Sequence, residues 1–204
     1  MPRKQDKRGF SLIELMVVLG IFTLIIGVGL ALVSTGRLSV DVGEAKIQAE
    51  QEARLSLDKI SRELRLSRAS KIRISDTISF TGAETRPGAV INFQIPIGSY
   101  AEQLDLTDDH MLKWGAERAG VPDPERWVIA YSLNPDTDQL IRTTYDRDHP
   151  ADAQTQVIAS NITALSFDRS DISSSLITIT ITGSVRTAHD PIEQSLTSHI
   201  KLRN

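Results

Sequence analysis

An acidic side chain sits where the chemistry of this chain least favours one. Between Phe10 and Val33 the only polar side chains are Ser11, Glu14 and Thr23. A carboxylate inside such an apolar run costs ~2.5–3.5 kcal/mol on insertion scales and is normally kept for a partner cation. The basic residues Arg3, Lys4, Lys7 and Arg8 precede the run, and Arg37 follows it. Other residue types capable of chemistry are present but not arranged for it. Asp105, Asp108, Asp109, Asp136, Asp138, Asp146, Asp148 and Asp152 offer oxygen ligands, yet neither a twelve-residue calcium loop nor its closing glutamate is present, and turn chemistry accounts for them. His110, His149, His189 and His199 form no i,i+4 zinc pair. The absence of cysteine excludes disulfides, thiolate metal sites and cysteine nucleophiles. There is no G-x-S-x-G elbow, phosphate-binding glycine loop or H-E-x-x-H motif. The chain is therefore read as non-enzymatic, with no metal and no cofactor.

The elements that would position Glu14 follow from length and period. The 204 residues and formal net charge of -3 leave room for one membrane helix and one medium globular domain. So small a net charge gives no reason to expect a nucleic-acid partner. From Phe10 to Val33, about two dozen residues make a helix of ~36 Å, enough to cross a hydrocarbon core of ~30 Å. The basic residues ahead of it place the leader in the cytoplasm and the remainder on the outer side. Beyond Gly36, apolar residues recur at Val42, Ala45, Ala49, Ala53, Leu57, Ile60 and Leu64, the spacing of one helix face. Charged residues, among them Glu50, Glu52, Arg54, Asp58, Lys59, Arg62, Glu63, Arg65 and Arg68, are assigned to the opposite, solvated face. No proline interrupts Phe10 to Ser70, so one helix of nearly sixty residues is expected. The cluster Arg62, Arg65, Arg68, Lys71 and Arg73 lacks the interleaved aromatics that would stack bases. Gly27, Gly29, Gly36 and Gly43 each cost ~1 kcal/mol of helix stability relative to alanine and are read as sites of close helix packing.

From Lys71 the period becomes two. Ile72, Ile74, Ile78 and Phe80 suggest one or two short strands, and Ala89 to Ile97 a clear one, with Pro96 demoting its end to an edge. Residues 98–126 are the least legible, with a short strand expected at Met111 to Trp114. The hairpin signal is strongest at Trp127 to Leu133, turning through Asn134-Pro135-Asp136-Thr137-Asp138 into Gln139 to Tyr145. Asp146 to Asp152 reads as a loop. Ile162 to Phe167, Leu176 to Val185 and Leu196 to Leu202 complete the strands. In the last, Leu196, Ser198, Ile200 and Leu202 should point inward, and Thr197, His199, Lys201 and Arg203 outward. The fold class is α+β, a long N-terminal helix packed against an antiparallel β-sheet head.

Basic leader, Gly9, Phe10, a carboxylate at Glu14 and an apolar helix together resemble the N-termini of type IV pilins and type II secretion pseudopilins. The resemblance implies that a prepilin peptidase cleaves between Gly9 and Phe10 and methylates the amine of Phe10, and that Glu14 is the counter-charge of that amine in assembly. It implies local melting of the glycine-bearing helix segment on filament entry as the alternative to close packing. It divides the chain into a leader (1–9), a transmembrane and assembly helix (10–33), an amphipathic continuation (34–70) and a β-sheet head (71–204). The expected partners are other pilins or pseudopilins, the peptidase, an inner-membrane assembly platform and membrane lipid. The expected location is the inner membrane, with the N-terminus cytoplasmic, and then the pilus or pseudopilus. The missing C-terminal disulfide departs from many major pilins. The segment Ala53 to Arg65 and the ending Ile200 to Asn204 look like W-type minor pilins and J-type minor pseudopilins, and Glu14 separates the chain from the K-type tip pseudopilin. Two other readings of the N-terminus stay open: a secretory signal peptide cut near Gly29-Leu30-Ala31, and a signal anchor carrying an outer-face enzyme or binding domain.

Overall fold

The computed structural model describes residues 12–80, 84–85, 87–98, 106, 111–116, 123–187 and 190–203. The chain divides into two compact units, Met1–Glu44 and Ala45–Asn204. The described part of the first is helical throughout and belongs to α1, Leu12–Leu64. This helix is long and apolar enough to cross a membrane, and its most apolar window is wholly unburied.

In the second unit the remainder of α1 is amphipathic in the manner its spacing predicts. Ala45, Ala49, Ala53, Ile60 and Leu64 are buried, and the small residues come first, where the backbone approaches a sheet most closely. A Cβ built on Gly183 would lie 2.4 Å from the Ala49 carbonyl oxygen, so only glycine fits that crossing. The helix stops after Leu64 because its last turn tightens: Leu66 and Ser67 donate backbone N–H bonds to Glu63 and Leu64. The Ser67 hydroxyl then donates to the Gln94 carbonyl at 2.7 Å, and a 3-10 turn at Ala69–Lys71 leads into the strands.

Five strands, β1 (Ile72–Ser75), β2 (Val90–Phe93), β5 (Trp127–Asn134), β6 (Gln139–Asp146) and β7 (Gln154–Ala159), form one antiparallel sheet in the order β1-β2-β5-β6-β7. A second antiparallel sheet has the order β10-β9-β8, from β8 (Ile162–Asp168), β9 (Leu176–Arg186) and β10 (Pro191–Lys201). A short ribbon pairs β3 (Ile95–Pro96) with β4 (Trp114–Gly115). Gly88 and Phe167 exchange two backbone hydrogen bonds of 2.9 Å and so tie β8 to the segment entering β2. The core contains Ile60, Leu64, Phe93, Tyr131, Phe167 and Ile179, and the Phe93 and Tyr131 rings stack 6.1 Å apart.

The hairpin falls at the expected turn, with Asn134 opposite Gln139. Asn134 Oδ1 accepts the Asp136 N–H, and Asp138 adopts φ 50. The alternation along β10 also holds: Ile200 and Leu202 are buried, Leu196 and Ser198 half-buried, and Thr197, His199, Lys201 and Arg203 exposed. Four expectations change. The single run expected from Ala89 to Ile97 breaks at Gln94 into β2 and β3, which belong to different sheets. Ile78 and Phe80 lie beyond β1 and in no strand. The short strand expected at Met111 to Trp114 is β4, beginning only at Trp114, with Leu112 making an isolated bridge to Leu106. Strand β7 lies where the sequence offers no strand signal, because an edge strand reading Gln-Thr-Gln-Val buries too little to alternate.

Candidate processing and assembly segment

Gly9 and Phe10 lie outside the described residues. Glu14 lies on α1, two residues after Leu12, the first described residue. It is exposed among Leu12, Ile13, Leu15 and Met16, all exposed as well. The hydroxyls of this unit are treated differently. Thr23 donates to the Leu19 carbonyl, Ser34 and Thr35 to that of Ala31 at 2.8 and 3.0 Å, and Ser39 to that of Thr35 at 3.1 Å. Each therefore satisfies itself on its own helix and can sit in an apolar medium at little expense. Glu14 has no such bond and no ion pair among the described residues, so its compensation has to come from elsewhere. Gly20, Gly27, Gly29, Gly36 and Gly43 have nothing within 4 Å of a built Cβ. No contact among the described residues requires them, and close packing at these glycines calls for another helix.

The remaining sequence candidates sort into structural roles. Asp146, Asp148 and His149 converge on Arg126, whose guanidinium reaches Asp146 at 2.9 Å, Asp148 at 3.1 Å and His149 Nδ1 at 2.8 Å. Burial pushes the Asp146 carboxyl up, but the Asp148 N–H, Arg126 and His149 outweigh it and hold it below the usual carboxylate range. Burial pushes the Tyr145 phenol up. Asp105, Asp108, Asp109, His110 and His189 lie outside the described residues. Among the described residues no group of three or more His, Asp or Glu is placed to hold a metal ion.

Two buried ion pairs escaped the sequence. Glu63, assigned to the solvated helix face, is 4% exposed. Arg142 Nε reaches its two carboxylate oxygens at 3.2 and 3.0 Å, and Lys59 stands at 3.7 Å. The partner lies on β6, so no helical spacing could reveal it, although a charge adjacent to Ile60 and Leu64 on the wheel was the available hint. Arg169, fully buried at its side chain, donates to the Ala69 and Ile72 carbonyls and pairs with Glu84. The basic cluster after the helix does gain an aromatic: Arg68 lies 5.2 Å from the ring centroid of Trp114, a cation–π contact.

Residues 4–32 match the family described as the prokaryotic N-terminal methylation motif. No curated protein and no solved structure matches the chain.

Proposed function

Because the chain carries the prepilin signal of type IV pilins and pseudopilins, we propose that it is a minor subunit of such a filament, made as a precursor and matured at the membrane. A prepilin peptidase removes residues 1–9 by cleaving between Gly9 and Phe10, a bond at which glycine presents no side chain to obstruct the enzyme. The new α-amine of Phe10, with an ordinary pKa of about 8, is largely protonated near neutrality, and methylation leaves it basic. Glu14 supplies its counter-charge, either in the same chain or in the neighbouring subunit, which offsets the expense of holding both groups at membrane depth. The apolar helix crosses the inner membrane with the head outside until assembly. There it meets other pilins and the inner-membrane platform as well as lipid.

The observation that carries this reading is the exposed Glu14, without a partner among the described residues, on an otherwise apolar and unburied helix within the matched motif. A plain anchor has no use for it. The absence of a catalytic constellation from the sequence fits a structural subunit. Intact mass and N-terminal sequencing of the mature protein test the assignment: it requires a chain beginning at methylated Phe10. A chain beginning at Met1, or after Ala31, would sink it.

A further inference from the structure

The helix covers the second sheet unevenly. On β9 the inward residues Ile177, Ile179 and Ile181 are fully buried. On β10 the inward residues Ile192, Gln194, Leu196 and Ser198 are only half-buried, and full burial returns only at Ile200. Beside this half-covered strand, α1 and β10 form an open cleft lined by Leu57, Ser61, Arg65, Leu196, Thr197 and Ser198, with Arg54 and Asp58 at its rim. Three features of the cleft are incomplete. The Ser61 hydroxyl is buried and has no hydrogen-bond partner, a state that ordinarily costs ~1–3 kcal/mol. Arg65 has no acidic partner among the described residues, whereas Arg54 pairs with Glu50 and Asp58 with Arg62. Strand β10, 11 residues long, is terminal in its sheet, so along one side its backbone N–H and C=O groups pair with no other described strand.

We propose that this cleft seats an extended, carboxylate-bearing segment of another pilin-type subunit. An extended chain is the occupant whose backbone completes an open strand edge, and alternate side chains then meet the cleft. One apolar side chain of the segment covers Leu57 and Leu196, its carboxylate pairs with Arg65, and a carbonyl accepts the Ser61 hydroxyl. The cleft's geometry is independent of the N-terminus; only the identity of the partner as a pilin-type subunit rests on the function proposed above.

The chain's lack of cysteine makes the test clean. Thr197→Cys introduces a single thiol at the cleft, which is labelled in cells with a maleimide-benzophenone and irradiated, and the crosslinked peptide is sequenced by mass spectrometry. The expected product is one segment of alternating apolar and polar residues containing Asp or Glu, from a protein that itself carries a prepilin signal. Arg65→Glu should lower the yield ~10-fold, since it places like charges together. Lys46→Glu, exposed and outside the cleft, should leave the yield unchanged. Circular dichroism and N-terminal mass of each variant establish that it is folded and processed. The proposal is overturned by a yield indifferent to Arg65→Glu, by crosslinks to lipid, nucleic acid or a protein without that signal, or by no crosslink from correctly matured protein. A chain that keeps its leader refutes the pilin assignment itself, and this partner with it.

Discussion

A single carboxylate separates two physical descriptions of the N-terminal helix. In a simple anchor, Glu14→Leu removes an expensive group, and insertion and function should be unchanged or improved. In a pilin it strands the Phe10 ammonium, and a few kcal/mol lost from a low-dielectric pair should cut recruitment ~10-fold or more. Complementation of a deletion strain, with processing scored by mass and assembly by crosslinking, distinguishes the two, and cleavage after Gly9 should persist. Gly9→Leu should do the opposite: the precursor retains its leader, and normal loss of residues 1–9 would show the cleavage site to be wrong. Glu63 poses the same kind of question in the head. Removing its partner by Arg142→Ala leaves a carboxylate 4% exposed with only Lys59 at 3.7 Å, and should destabilise by ~3 kcal/mol. In urea denaturation the double change Glu63→Leu with Arg142→Leu should recover much of that loss. Asp146 sets a pH limit. Its folded carboxyl is held below the ordinary value of about 3.9, so its contribution is complete above that value and disappears as pH falls through the depressed one. Asp146→Asn should therefore flatten the acid limb of a stability profile below about pH 4.

Among the elements, legibility in the sequence followed burial. Strand β5 and its hairpin partner β6 were legible because Trp127, Ile129 and Tyr131 alternate with a turn of Asn, Pro and Asp behind them. Strand β7 was not, because its exposed Gln154, Thr155, Gln156 and Val157 have only one side of the ladder and no core to alternate against. Along α1 the apolar stripe is buried at Ala45, Ala49, Ala53, Ile60 and Leu64 and partly at Leu57, whereas Val42 at its start is exposed, and Glu63 departs from the solvated face because Arg142 reaches it from another element across 79 positions. Of the candidate site, Glu14 was legible from its apolar neighbours, while the cleft beside β10 depends on which strand ends the sheet, and no local pattern encodes that. Gly183 was likewise unremarkable as a sequence position. Gly183→Ala should push α1 off β9 and destabilise the head by ~1–3 kcal/mol, read as a lower denaturation midpoint at unchanged slope. An unchanged midpoint would mean that the close approach at the Ala49 carbonyl is not maintained in solution.

At the scale of the whole molecule, the division at Glu44 and Ala45 leads to a fragment beginning at Ala45 that is soluble, monomeric and cooperatively folded, because Ile60 and Leu64 share one core with the strands. Light scattering and circular dichroism check it. Deleting residues 45–68 from that fragment should abolish the sheet signal, and a surviving signal would contradict a shared core. The same core has a consequence for the timing of export. Ile200 and Leu202 are buried in it, and Arg68 bridges to Arg203 at a separation spanning nearly the entire head. Contacts of such long range form late, since the intervening loop must close first. In the export proposed above, with the N-terminus held in the cytoplasm, the head-side part of α1 crosses before β10, and the seat for the helix stays unfinished until residues near 200 have crossed. On that reading the order of the strands keeps the head from completing its core until translocation is nearly over.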